Sequence, residues 1–597
     1  MNFGSREIRR SPLTYSQVHQ YVGDMRHWKI TTLAMLVSWT LGSCALAANI
    51  SSQNFDQFNT AFMEIVKPGS EYFNEERPVY PVWSRVLLMD FLKYNPNPNE
   101  EATSPECNSL KWLDENRQRS SLAGLTDGST SIMESVGRYV QRCDDQMRSD
   151  WVSSLFSGYF AMMIKWNQKT YPYGRYVLFH LPNGNRVKGF LALKGDGTKR
   201  PLIILRLGIF ADVTKFAPER FMFLQLFEQS PFNVLILESN SGNEYVFRNK
   251  KISIGGFEEG IQDFLIAKKL QDPSEPLSNI IESIHMMAFS MGGHGALFAS
   301  LLSDWQAKKD LAATKKPHPV IQSLLAYCPL INFRETLDFH LSQGPQSKVF
   351  NYWMSHRLRG VEQVIPEIDP DHFFQSVVDH VDQNYLGPAA YDESLPLKAK
   401  MKEDLHKFWS ENLFWEYYHD VQTPVLILAT ELDPIVPFAL NSQRLLNHYM
   451  DVGNSQLKVV SFKAGVHCGL PGVYQWRPLA SITQAFFLRE ANFIPEKMSR
   501  PVQLSREEVV GMKAKTFPPK YEIQEGRSPA EFYLNLELSD QPLVIKSIGF
   551  SFKDMGYADS DFTVSRPMIE RWLAQNLRFE LSENAQQPPQ LVLSWYR

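Results

Sequence analysis

Residues 284–297 read Ile284-His285-Met286-Met287-Ala288-Phe289-Ser290-Met291-Gly292-Gly293-His294-Gly295-Ala296-Leu297. An apolar run stops at a serine, passes through small residues and becomes helix-forming. The order is strand, sharp turn, helix. Ser290 falls on the bend, where its hydroxyl would stand out from the fold. Gly292 and Gly293 let the following helix pack close to the strand without a Cβ clash. The pattern is small-x-Ser-x-Gly, with Ala288 where glycine is usual. The amides that open the helix, and the positive end of its dipole, suit a developing oxyanion. A plain turn with a helix-capping serine reads the same way locally. Partners for the hydroxyl must decide between the two.

A serine at its ordinary pKa is a poor nucleophile; it needs a base within hydrogen-bond reach and a carboxylate to orient that base. Two later segments offer them. Ala429-Thr430-Glu431-Leu432-Asp433-Pro434-Ile435-Val436-Pro437 and Ala464-Gly465-Val466-His467-Cys468-Gly469 each follow an apolar, strand-like run, 424–429 and 457–462. The carboxyl ends of parallel strands face one crevice, so Ser290, Asp433 and His467 would converge there. Their chain order is Ser, Asp, His, one of the known triad orders.

The surrounding pattern supports such a sheet. Segments 175–181 and 187–193 flank Pro182-Asn183-Gly184-Asn185, a hairpin turn signal. Segments 201–207, 233–238 and 321–327 are short apolar runs, as strands buried on both faces should be. Helical stretches at 216–227 and 257–270 alternate with them. A hairpin leading into alternating strands and helices predicts a mostly parallel sheet covered on both faces.

Together, the Ser290 turn, the Asp-Pro-Ile-Val-Pro segment and the Gly-Val-His-Cys-Gly segment resemble the α/β-hydrolase superfamily, in its esterase/lipase-like or serine aminopeptidase-like branches. The resemblance covers 174–491. It implies an α/β-hydrolase fold, with Ser290 as nucleophile, His467 as general base and acid, and Asp433 as orienter. Asp433 is preferred over Glu431 because it sits directly before the Pro-Ile-Val-Pro turn. The resemblance also implies an oxyanion hole from the amide of Met291 and one in the loop after the third strand, Leu207-Gly208-Ile209-Phe210, where Gly208 or Ile209 would donate. The usual glycine-rich oxyanion motif is replaced by Arg206-Leu207-Gly208. No cofactor or metal is implied. Other candidates read differently: His294 as helix packing, His285 as a strand residue far from the crevice, and His340, His372 and His419 as solvated. Asp338, near His340, has no nucleophile beside it.

At 597 residues the chain is long enough for roughly two or three domains. Its 44% hydrophobic and 21% charged residues are globular values. A formal charge of -4 offers no basic field for nucleic acid. The 39 phenylalanines suggest apolar pockets or an apolar substrate. Residues 1–48 read as a leader: a basic start at Met25-Arg26-His27-Trp28-Lys29, an apolar run 30–41, then small residues. The run is short for a membrane span. Ala45-Leu46-Ala47 fits ordinary cleavage, whereas Leu41-Gly42-Ser43-Cys44 resembles a bacterial lipobox that would anchor the protein through a lipidated Cys44. Cys107 and Cys143 can pair if the protein is exported. Cys328 and Cys468 read as small buried hydrophobes.

The expected organisation is a leader (1–48), a helical N-terminal region (49–170), an α/β-hydrolase domain (171–495) with a helical, aromatic cap inserted at 331–420, and a small C-terminal α+β module (496–597). The helix Met568–Leu577 belongs to the last. The expected function is an exported serine hydrolase, periplasmic or membrane-anchored, cleaving an apolar acyl ester through an acyl-enzyme. Its partner would be a small-molecule acyl substrate, not nucleic acid. Acyl transfer or peptide hydrolysis on the same triad, or a non-catalytic envelope ligand-binding protein, are the alternatives. Oligomeric state is not readable.

Overall fold

The computed structural model describes residues 104–120, 131–148 and most of 174–495, with strand backbone beyond them as far as residue 596. The leader with Cys44, the aromatic stretch 151–166, the start of the 216–227 helix and residues 568–576 of the expected C-terminal helix lie outside the described residues.

In chain order the principal elements up to residue 490 are α1 (Ser109–Ser120), α2 (Ile132–Cys143), β1 (Gly174–His180), β2 (Arg186–Ala192), β3 (Arg200–Arg206), β4 (Asn233–Leu237), α3 (Asn243–Asn249), α4 (Gly256–Gln271), β5 (Ile281–Phe289), α5 (Ser290–Thr314), β6 (Leu324–Tyr327), α6 (Phe333–Leu341), α7 (Phe373–Asn384), α8 (Lys407–Glu411), β7 (Val425–Thr430), β8 (Leu457–Phe462) and α9 (Trp476–Glu490). The eight strands form one sheet in the order β1-β2-β4-β3-β5-β6-β7-β8. β1 pairs antiparallel with β2, and β2 with β4; every pairing from β4 to β8 is parallel. This is the α/β-hydrolase arrangement, as the sequence resemblance implied.

Burial explains the apolar runs. Every residue of β3, β4, β6 and β7 is buried. One face of the sheet packs on α4 and α5 through Ile261, Phe264, Leu297, Phe298 and Trp305. Phe487 of α9 packs edge-on against Phe232 and against the imidazole of His285 in β5. The turn after β1 is tight: the Leu181 amide donates to the Asn185 carbonyl at 2.9 Å, and Gly184 takes φ 81°. β6 begins at Leu324 rather than Ile321, whose amide instead donates to the Ser303 hydroxyl at 2.8 Å.

α6, α7 and α8 share an apolar cluster with the first turn of α5 and with loops that follow strands of the sheet. Phe333, Leu337, Val377, Phe408 and Trp409 pack with Phe210, Met291 and Val436. Phe333, Phe408 and Trp409 pack against one another in this cluster, whereas Phe414, Tyr417 and Tyr418 belong to the core under the sheet and Phe339 and Tyr352 are exposed. Before the sheet, Cys107 and Cys143 form a disulfide that ties the start of the described segment to the end of α2. Beyond residue 495, the described backbone is all strand. β9 (Lys497–Gln503), β15 (Gln590–Tyr596) and β14 (Leu577–Glu580) make a three-stranded sheet, and β10 (Lys520–Tyr521), β11 (Glu531–Leu538), β12 (Leu543–Ser551) and β13 (Asp561–Val564) a four-stranded one. Leu577, expected as the last residue of a helix, opens β14.

Candidate active site

Ser290 lies where β5 ends and α5 begins, and it takes φ 53°, a left-handed conformation that L-residues avoid. The close packing around it enforces that bend. A Cβ on Gly292 would lie 2.2 Å from the Leu207 carbonyl oxygen, so α5 can approach the loop after β3 only with glycine there. Ala288, in place of the usual glycine, is fully buried within β5 between Arg206 of β3 and Ala326 of β6. The neighbours accept its single methyl group.

The loops after β7 and β8 complete the arrangement. Nε2 of His467 is 2.8 Å from the Ser290 hydroxyl, and Nδ1 is 2.9 Å from Oδ2 of Asp433. The other carboxylate oxygen, Oδ1, accepts from the amides of Ile435 (2.8 Å) and Val436 (2.9 Å). The turn after Asp433 therefore holds the carboxylate from behind while it holds the imidazole from the front. Asp433 and Ser290 are buried, and His467 keeps 15% of its side chain exposed. Glu431 is exposed and accepts from the Ser461 hydroxyl at 2.9 Å.

Of the three oxyanion candidates, Met291 follows Ser290 in the chain, and Gly208 and Ile209 lie in the loop after β3. Met291 is the second residue of α5, within the first turn, where helical amides lack an intrahelical acceptor. A Cβ on Gly208 would stand 3.4 Å from the Ser290 Cβ, so this loop presses directly on the nucleophile candidate. Ile209 is half-buried against the cluster that holds Phe210 and Met291. The loop is braced by the Phe210 amide donating to the Ser241 hydroxyl (2.9 Å) and the Ala211 amide to the Gly208 carbonyl (3.3 Å).

Of the remaining histidines, His372 and His419 are exposed as expected. His340 is not: it is buried, and its Nε2 bonds the Ile435 carbonyl at 2.7 Å. The expectation of a solvated residue fails because α6 packs on the turn after Asp433. Burial lowers the His340 pKa, the bond to Ile435 opposes that, and nearby His467 lowers it further. Asp338 is exposed and 3.9 Å from Arg334. His285 is buried between the hydroxyls of Ser283 (2.9 Å) and Ser323 (2.8 Å), and burial lowers its pKa to about 3. His294 is buried in α5, its Nε2 bonded to the Asn412 carbonyl at 3.0 Å, with its pKa lowered to about 4 by burial.

Cys468 departs from the plain core role expected of it. It is half-buried, with its sulfur 3.6 Å from Nε2 of His467 and 3.5 Å from the Tyr327 carbonyl. Beneath the Ser290 bend sits a charged group the sequence did not flag. Arg206 is fully buried and donates to the Glu238 carbonyl (2.6 Å) and to Asn240 Oδ1 (3.1 Å). Its guanidinium also stands 3.4 Å from Glu259 and 3.5 Å from Asp263. Burial raises the Asp263 pKa to about 7, with Arg206 opposing. The signal was available: an arginine closing an apolar strand, and two acids at i,i+4 on the next long helix, which face the same way.

No protein family and no curated protein matches the chain by sequence. Among solved structures it is similar to a puromycin-hydrolysing peptidase from Mycobacterium tuberculosis, at 14% identity over 54% of this chain and 39% of that one, with a TM-score of 0.32. An esterase from Pyrococcus furiosus matches at 15% identity over 54% of this chain and 96% of that one, TM-score 0.32. An esterase from Pyrobaculum calidifontis matches at 12% identity over 62% and 96%, TM-score 0.32. The chain thus spans 39% of the peptidase's length. Likeness at this level is too slight to speak to activity; the fold rests on the strand order and pairing directions.

Proposed function

We propose that the protein is a serine hydrolase that cleaves carboxylic esters of an apolar acyl group. The observation that carries this reading is the unbroken hydrogen-bonded chain from Asp433 through His467 to Ser290, at the carboxyl ends of β7, β8 and β5. In the reaction, the Ser290 oxygen attacks the ester carbonyl carbon while His467 Nε2 takes its proton. Asp433 stabilises the imidazolium through Nδ1–H and keeps the ring in the tautomer that leaves Nε2 able to accept. The tetrahedral oxyanion forms beside the Met291 amide and the loop of Gly208 and Ile209, whose amides are its donors. His467 returns the proton to the leaving alcohol, giving an acyl-enzyme. Water, deprotonated by the same ring, then releases the acid and restores Ser290.

Support for an apolar acyl group comes from the apolar cluster beside the nucleophile, in which Phe210, Met291 and Val436 pack with the cap helices. We also propose export. The leader pattern and the Cys107–Cys143 disulfide both favour an oxidising compartment. The test is labelling of the full chain with a fluorophosphonate probe, with mass spectrometry to locate the adduct and to read the mature N-terminus. Modification at Ser290 is expected. A folded protein that takes no label, or whose Ser290→Ala variant labels equally, overturns the reading.

A further inference from the structure

The helical segment that precedes the sheet reaches the loop bearing His467. Cys143, the last residue of α2, is disulfide-bonded to Cys107, and the next residue, Asp144, is buried. Asp144 Oδ1 accepts from the Tyr474 hydroxyl at 2.7 Å and from the Lys463 amide at 3.3 Å, and Oδ2 accepts from Arg148 at 2.9 Å. The Tyr474 hydroxyl in turn accepts from the Ala464 amide at 3.1 Å. Arg148 and Tyr474 also pair as an antiparallel bridge. Lys463 and Ala464 begin the segment after β8, Tyr474 ends it, and His467 lies between. One carboxylate and one phenol therefore tie together both ends of the loop that carries the imidazole. Bringing a loop's ends together removes conformations from what lies between them, and a reacting group held within a fraction of an ångström reacts far faster than a loose one.

Two other contacts among the described residues join the same segment to β8 and α9. Lys458 meets Glu134 at 2.8 Å and Arg117 meets Gln484 at 3.1 Å, so α1 and α2 are attached to β8 and α9 independently of Asp144. The buried pair at Asp144 thus has a role that docking alone does not require.

We propose that Asp144 is a positioning residue for the general base: with Tyr474 it holds the His467 loop in register with Ser290, and the Cys107–Cys143 disulfide holds Asp144 in place. This rests on the reading of Ser290 and His467 as nucleophile and base. The test compares wild type with Asp144→Ala, Asp144→Asn, Tyr474→Phe, Cys107→Ser/Cys143→Ser and the docking control Glu134→Gln, all as the full chain. The readouts are the rate of fluorophosphonate labelling at Ser290, kcat and KM measured separately for a p-nitrophenyl ester, and the urea midpoint. Asp144→Ala, Tyr474→Phe and the double serine variant are expected to slow labelling and lower kcat by about 10-fold or more, with KM little changed. Asp144→Asn recovers part of the rate, the Asp144→Ala/Tyr474→Phe double variant is no slower than either single one, and Glu134→Gln behaves as wild type. Labelling at the wild-type rate with unchanged kcat in folded Tyr474→Phe, which loses only a hydroxyl, overturns the proposal even if Asp144→Ala does not fold. Equal slowing in Glu134→Gln also overturns it. A wild type that takes no label sinks the hydrolase reading and this inference with it; a labelled wild type with unaffected variants sinks this inference alone.

Discussion

Nε2 of His467 meets the hydroxyl of Ser290 at 2.8 Å across a sequence separation of 177 residues. Each side chain stands just past the carboxyl end of its own strand, with β6 and β7 lying between those strands in the sheet. The sheet therefore does the work of bringing the base to the alcohol, and the loops adjust the last few ångströms.

The left-handed bend at Ser290 separates stability from activity. Ser290→Ala is expected to lower kcat by about 10⁴-fold or more, since alcohol and base act as a unit. Ser290→Gly is expected to be equally inactive yet more stable than the alanine variant by about 1 kcal/mol, because glycine alone takes φ 53° without steric cost. Urea unfolding of the two variants side by side reads the difference.

Two carboxylates stand near the end of β7, and kinetics should tell them apart. Asp433→Asn keeps the shape but leaves His467 without its anion, so kcat should fall by about 10³- to 10⁴-fold. Glu431→Gln, at an exposed side chain bonded to Ser461, should change neither kcat nor stability beyond about 0.5 kcal/mol. Steady-state rates on one p-nitrophenyl ester suffice for both.

The spacing of the turn depends on what a methyl group would strike. Gly292→Ala drives a Cβ to 2.2 Å from the Leu207 carbonyl oxygen, a backbone atom in the loop that holds Gly208 and Ile209. A loss of about 3 kcal/mol in urea unfolding is expected, with activity lost in whatever folds. Gly137→Ala, inside α2, comes nearest the flexible Lys458 Cε at 3.3 Å, with Val460 Cγ2 at an ordinary 3.9 Å, and a gain of about 0.5–1 kcal/mol from helix propensity should appear in the same measurement.

Acid should destabilise the fold through His285. Its folded pKa is lowered to about 3 by burial, below the ordinary value of 6.5, so below that value the unfolded chain binds a proton that the folded chain refuses. Stability from this group is therefore intact above pH 6.5 and is lost as pH falls toward 3. Between pH 7 and pH 5, the wild type should lose on the order of 2 kcal/mol more than His285→Gln. Denaturant unfolding at the two pH values checks the sign as well as the size. Asp263 acts in the opposite sense: its folded pKa is raised to about 7, so its contribution weakens as pH rises from about 4 to 7.

The elements that carry the site were legible because each has a local physical signature. An apolar run buried on both faces marks β3, β4 and β7; a serine with two glycines two and three residues on marks the bend from β5 into α5; an Asp before Pro-Ile-Val-Pro and a His-Cys-Gly each follow such a run. Chain order and strand direction alone were enough to expect Ser290, Asp433 and His467 in one crevice. Side-chain surroundings were not legible, because they depend on which distant surfaces meet. His340 looked solvated until α6 was seen packed on the turn after Asp433. Arg206 looked like one end of an apolar strand until α4 brought Glu259 and Asp263 beside it. Asp144 and Tyr474, 330 positions apart, showed no relationship at all. Periodicity and turn chemistry are written within a few residues of one another, and the sequence by itself determined what rests on them: the sheet, the bend and the three side chains at its rim. Burial and long-range hydrogen bonds exist only once the layers have packed, so the tertiary structure alone decided which polar groups are paired, shielded or held in place.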